Sequence, residues 1–132
     1  MKTRNAVAVL VSAAGLACGC IAPAGAADVL RWGSVSGWDV LIFDLTRWPD
    51  RGMTLGRHQG VASALTFGPD GRTLYTGGWD AAVRVWDVDR GSQLASFTWP
   101  VGNRVTALAV SPDGLRAAAG GDAGTVAVWD LD

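Results

Sequence analysis

One offset governs this sequence. Phe67-Gly68-Pro69-Asp70-Gly71 returns as Val110-Ser111-Pro112-Asp113-Gly114, Val83-Arg84-Val85-Trp86-Asp87 returns as Val126-Ala127-Val128-Trp129-Asp130, and Gly77-Gly78 returns as Gly120-Gly121, each 43 residues later. A period of this size marks stacked supersecondary units, none of which can bury its apolar face alone. Another 43 residues back from Trp86 lies Phe43, and Val40-Leu41-Ile42-Phe43-Asp44 repeats the Trp-Asp element with Phe in place of Trp. The chain therefore carries two full copies and a leading partial one.

Within a copy the apolar period is two. Larger apolar residues alternate with small or polar ones from Val61 to Phe67, and the Pro-Asp-Gly that follows suits a tight turn, with Pro presetting φ and Gly accepting a positive one. Further strands are predicted over residues 73–76, 83–87 and 93–98, and in the second copy over 105–110, 115–119 and 125–129. The 18 Gly, the 7 Trp and a set of acidic residues made up wholly of Asp favour turns and strands over helices. The expectation is an all-β chain of four-stranded antiparallel blades.

These residues resemble the WD-repeat (WD40) β-propeller family. The likeness rests on Trp86-Asp87 and Trp129-Asp130 closing the third strand, on the Ser/Gly-Pro-Asp-Gly turn, and on His58 ahead of the first strand, and it runs from about residue 29 to 132. It implies a partial propeller: a partial repeat at 28–57, a repeat at 58–98, and a repeat lacking its last strand at 99–132. It also implies a buried hydrogen-bonded chain through His58, Thr76, Asp80 and Trp86. A hydroxyl, an imidazole and a carboxylate are also the parts of a nucleophilic triad. With no nucleophile elbow in the sequence, the four read as structural and the chain as non-catalytic. In the second copy Val101 and Ala123 hold the His and Asp positions, with Asp122 one residue early.

The family is a platform for protein or peptide partners, so the resemblance points to the rim. There the residue before the turn Asp is Trp79, with Trp38 in a turn two residues shorter and Asp122 at the matching place of the second copy. Arg104, Gln59 and Asn103, before first strands, join the same face. Trp38 and Trp79 can equally pack against a neighbouring blade, whereas Trp86 and Trp129 at strand positions read as core. The loop Arg47-Trp48-Pro49-Asp50-Arg51-Gly52 is long enough to serve as a contact surface, and Trp99-Pro100 reads as a blade-edge filler. Asp70 and Asp113 read as turn formers on opposite turns of successive blades that do not pair.

The first 27 residues follow another pattern. Lys2 and Arg4, an apolar run from Ala6 to Ala17, and Ala22-Pro23-Ala24-Gly25-Ala26-Ala27 have the layout of a secretory signal cleaved after Ala24 or Ala26, or else of an uncleaved N-terminal anchor. Export to a periplasmic or extracellular space is expected, with no membrane span left after cleavage. Removal would also take Cys18 and Cys20, and Ala17 and Gly15 stand where a lipoprotein signal needs an aliphatic residue. Loss of Lys2 and Arg4 shifts the net charge from −1 to −3, and the remaining arginines are scattered singly, so no nucleic-acid partner is expected. One His and two Cys are too few for a protein-built zinc, haem or iron–sulfur site, and no metal or cofactor is expected.

A length of about two and a half blades falls short of the roughly four that close a ring. The expectation is a piece of a longer propeller, with closure by homo-oligomerisation through open blade edges as the other route. A different class of reading makes the chain the propeller segment of an exported enzyme or redox protein whose catalytic or cofactor domain lies elsewhere.

Overall fold

The computed structural model describes residues 9–11, 17–21, 31–44, 53–98 and 104–131, all as strands, turns and short connections. The strands are β1 Val9–Val11, β2 Ala17–Ile21, β3 Arg31–Ser36, β4 Asp39–Asp44, β5 Met53–Arg57, β6 Ala62–Phe67, β7 Thr73–Gly78, β8 Ala82–Asp87, β9 Ser92–Thr98, β10 Val105–Val110, β11 Arg116–Gly121 and β12 Val126–Asp130. They form three antiparallel sheets of neighbouring strands, β1–β5, β6–β9 and β10–β12. Among the described residues no helix is long and apolar enough to cross a membrane.

The repeat reaches down to single hydrogen bonds. Gly71 and Gly114, at φ of 68° and 74°, close matching turns, and their amides donate to Gly68 O and Ser111 O. Each first strand is irregular at the same place, between Ala62 and Ala64 and between Val105 and Ala107. The hydroxyl in that irregularity turns to the next strand, Ser63 Oγ donating to Gly77 O and Thr106 Oγ1 to Gly120 O. A bulge leaves one residue out of the ladder, and here a Ser or Thr side chain restores the bond.

Sheets stack because each buries one face on the next. Val35, Val40, Ile42 and Leu55 of the first sheet meet Leu65, Phe67, Leu74 and Trp86 of the second in one core cluster. Val83 meets Val105 and Ala119 in another, with Leu108, Ala127 and Trp129 packed against it. The innermost strand β6 packs against β10 on one side and against β2 and β3 on the other. The Ser63 hydroxyl shares its one proton with Val105 O, a direct tie between the second and third sheets. Trp129, expected in the core, packs against the second cluster and is only half-buried; on the opposite face of β12, which carries no further sheet among the described residues, Val126 and Val128 are 69% and 64% exposed.

The N-terminal expectation falls partly on undescribed residues. Lys2, Arg4 and the Ala22–Ala27 stretch lie outside the described residues, as do residues 47–52 and 99–103 with Trp99-Pro100, Val101 and Asn103. Val9–Val11 of the apolar run forms β1, and Ala17 at its end begins β2; the two strands pair with each other and, through β2, with β3.

Candidate functional site

The turn between β7 and β8 is built around Asp80. Its carboxylate accepts from the Gln59 amide at 2.9 Å, the Ala82 amide at 3.3 Å and His58 Nδ1 at 3.0 Å. Arg84 Nη2 approaches it at 3.4 Å while Nη1 donates to Gln93 Oε1. Beyond His58 the chain continues inward, with Nε2 2.8 Å from Thr76 Oγ1, which accepts from Trp86 Nε1 at 2.8 Å. One proton order satisfies every atom: Trp86 gives to Thr76, Thr76 to His58 Nε2, and His58 Nδ1–H to Asp80.

Charge states agree with that order. Burial pushes the His58 imidazole below its ordinary value, and the hydrogen bond to Asp80 opposes the shift without reversing it. Burial alone would raise Asp80, but the Gln59 amide and His58 outweigh it and hold the carboxyl low. His58 is therefore neutral and Asp80 ionised. His58 and Thr76 are 1% and 0% exposed, and the Thr76 hydroxyl is used on both sides. No substrate can reach it, which removes the nucleophile that a triad needs.

Gly78 makes room for this network. A Cβ there would lie 2.6 Å from His58 Nδ1 and 2.8 Å from Asp80 Oδ1. The sequence marked this glycine only as part of a repeated pair, and Arg84 not at all; the Gly-Gly recurrence at one offset was the available signal.

With Asp80 tied inward, the preceding residue is turned outward. Trp79 is 46% exposed, its amide held by Val61 O at 2.8 Å. Its ring is stacked under the Arg104 guanidinium of the third sheet, 4.2 Å from centroid to cation. Arg104 in turn lies 3.8 Å from Asp122, whose amide donates to Arg104 O just as Trp79 donates to Val61 O, 43 residues earlier. Both readings of Trp79 thus hold together: one face packs on the neighbouring blade and the rest stands in solvent. A cation held on an indole face is worth about 0.5–1 kcal/mol at an exposed site, enough to order the ring without burying it.

Trp38 repeats the arrangement at the first sheet. The tight Gly37-Trp38 turn, with Gly37 at φ 60°, leaves the indole 51% exposed. Arg57 reaches over it at 6.0 Å and is clamped by Asp39 through Nε at 3.1 Å and Nη2 at 3.0 Å. Arg57 was not anticipated, since singly scattered arginines carry no pattern, and only the fold shows that it ends a strand beside Trp38. The Trp38 carbonyl accepts from the His58 amide, so this turn also seats the start of the second sheet. Gln59 is exposed beside the same turn and acts through its backbone.

Asp70 and Asp113, expected on opposite turns, sit instead on corresponding turns of the second and third sheets. They line one cleft at the opposite end of the sheets, together with Pro69, Tyr75 and Gly114. Each is still consumed by its own turn, Asp70 by the Arg72 and Thr73 amides and Asp113 by Ser111 Oγ and the Leu115 amide. Burial and the Asp70 charge push the Tyr75 phenol up. No group of three or more His, Cys, Asp or Glu suited to a metal occurs among the described residues.

Comparison with known proteins gives the same architecture. A family model described as "WD domain, G-beta repeat" matches residues 50–87 and 91–130. The chain is 32% identical over 72 residues, 52% of its length, to the Periodic tryptophan protein 2 homolog of Neurospora crassa, and 46% identical over 35 residues, 26% of its length, to that of Schizosaccharomyces pombe. These alignments span only 8% and 4% of those two proteins. The β-propeller domain of Cps50 (Swd1) from Myceliophteria thermophila superposes with a TM-score of 0.70 at 11% identity, over 77% of this chain and 35% of that one. At that identity the likeness is one of fold. Two matched repeats, covering more than half of the sequence and ending on Trp86-Asp87 and Trp129-Asp130, place the chain in the WD-repeat family of β-propellers.

Proposed function

We propose that this chain is a non-catalytic scaffold that binds a protein or peptide partner on the rim carrying Trp38, Trp79, Arg104 and Asp122. One observation carries the reading: Trp79 is ordered by Arg104 from the next sheet yet left 46% exposed. An aromatic ring already fixed loses little conformational freedom on binding, which is what makes such side chains dominate interfaces. Trp38 over Arg57 and Asp39 adds a second anchor at the same end of the sheets. The cation on each ring is matched by a carboxylate, so the rim suits a partner with apolar and mixed polar side chains rather than a polyanion. The layout of residues 1–27 supports export, and the strands formed by part of it are a second claim on the same segment.

The test is a displayed random-peptide library selected on the immobilised full chain. Trp79→Ala is expected to weaken the recovered peptides by at least tenfold while the β circular dichroism and melting temperature stay within a few degrees of wild type. Peptides that bind Trp79→Ala and Trp38→Ala as well as wild type would place the binding surface elsewhere.

A further inference from the structure

The end of the sheets away from the rim holds the carboxylates that the fold leaves without a cation. Six of the eight aspartates with described side chains stand 2.7 to 3.8 Å from an arginine. Asp70 and Asp113 are the other two. The arginines nearest to them in sequence are engaged elsewhere, Arg72 by Asp89 at 2.7 Å and Arg116 by Asp130 at 3.2 Å. Turn bonds occupy part of each carboxylate and neutralise neither. The Ser111 hydroxyl and the Leu115 amide both donate to Asp113 Oδ1, and Asp70 Oδ2 accepts from Thr73 Oγ1, whereas a carboxylate has about four acceptor sites.

The two turns meet across the sheets. A Cβ on Gly114 would lie 3.1 Å from Pro69 Cγ, so the glycine is what lets the proline of the second sheet approach the turn of the third. The cleft beside this contact measures about 250 Å³. Small-molecule sites run to roughly 300–1,000 Å³, and a cleft below that range suits one side chain reaching in from a larger partner.

Tyr75 points to what enters. It lies on the face of β7 opposite Leu74, which packs in the core of the first two sheets, so its ring looks towards the third sheet and lines the cleft. The residue is 8% exposed, and its hydroxyl has no hydrogen-bond partner among the described residues. A buried hydroxyl left unpaired costs stability. The repeat does not ask for it, since 43 residues later the same place holds Ala118.

We infer that this cleft takes an arginine side chain from a protein or peptide partner, with the guanidinium between Asp70 and Asp113 and the stem along Pro69 and the Tyr75 ring. Arginine suits it better than lysine: the planar fork offers five donors to three separate acceptors, sheds water more readily than an ammonium and stacks on an aromatic face. The phenol oxygen gains its missing hydrogen bond, and the two carboxylates gain the cation that the fold withholds. This contact surface is independent of the rim.

Tyr75 is the single tyrosine of the chain, so carbon-13 labelling of the tyrosine ring places one magnetic-resonance probe inside the cleft. The labelled full chain is titrated with a capped glycine–arginine–glycine peptide. A saturable shift of the ring signal is expected, with none from the citrulline peptide and weaker binding of the lysine peptide. Asp70→Asn and Asp113→Asn keep an oxygen for the turn amides and remove the charge; each is expected to weaken the arginine peptide by about tenfold or more at a melting temperature close to wild type. Trp79→Ala is expected to leave the affinity unchanged. The absence of a saturable shift overturns the inference, as do citrulline or lysine peptides that bind as well as arginine and Asn variants that bind like wild type. Loss of binding in Trp79→Ala puts the guanidinium on the rim and overturns it as well. Should either Asn variant melt early, the other variant and the citrulline comparison on the wild-type chain decide the matter.

Discussion

His58 is the residue on which the second blade is most exposed to its surroundings. It is buried and neutral, with its folded value pushed below the 6.5 of the free side chain. The unfolded chain binds the proton more readily, so protonation favours unfolding. Stability is therefore fully present above about pH 6.5 and is lost as pH falls from there through the lower folded value. Thermal melts between about pH 7.5 and 5 are expected to show a declining melting temperature, and a His58→Gln chain is expected to lose that slope; a flat profile in wild type would contradict the neutral imidazole. The His58, Thr76, Asp80 and Trp86 positions could be named in advance because each is a chemically marked residue at a fixed place in the repeat. Arg84 and Arg57 could not, since their roles depend on which carboxylate the fold brings beside them.

At the scale of the element, the turns hold both the clearest and the least visible information. Pro-Asp-Gly announces itself, and Gly71 and Gly114 take the positive φ that it implies. The turn between β7 and β8 does not, for its left-handed residue is Ala81 at φ 59°, where the third sheet has Gly124 at 77°. An alanine in that region costs about 1 kcal/mol in the folded state, while glycine loosens the unfolded chain by somewhat less. Ala81→Gly is expected to stabilise the chain by about 0.5 kcal/mol, read as an increase in the denaturation midpoint at unchanged slope. A destabilised variant would mean that the alanine methyl makes a packing contact. Strands at period two were legible to within a residue or two, whereas β1 and β2 were not, because an apolar hairpin after a basic start has the composition of a signal segment.

For the whole molecule, the open face of the third sheet and the rim pull in different directions. Val126 and Val128 are exposed on β12, an apolar face that further blades or a second copy would cover. Light scattering after size exclusion is expected to show association that rises with concentration and is reduced by Val128→Lys; a monomer at all concentrations would mean that the face is tolerated in water. The stacked antiparallel sheets were readable from the period, but which surfaces remain exposed was not, because exposure depends on how successive sheets cover one another. The rim is a different surface, and its role can be read directly by hydroxyl-radical footprinting of the chain with and without a peptide from the library selection. Oxidation of Trp79 and Trp38 is expected to fall several-fold on binding while Leu94, exposed on β9, is unchanged. Protection of Leu94, Val126 or Val128 with Trp79 oxidised as before would contradict a partner-binding rim.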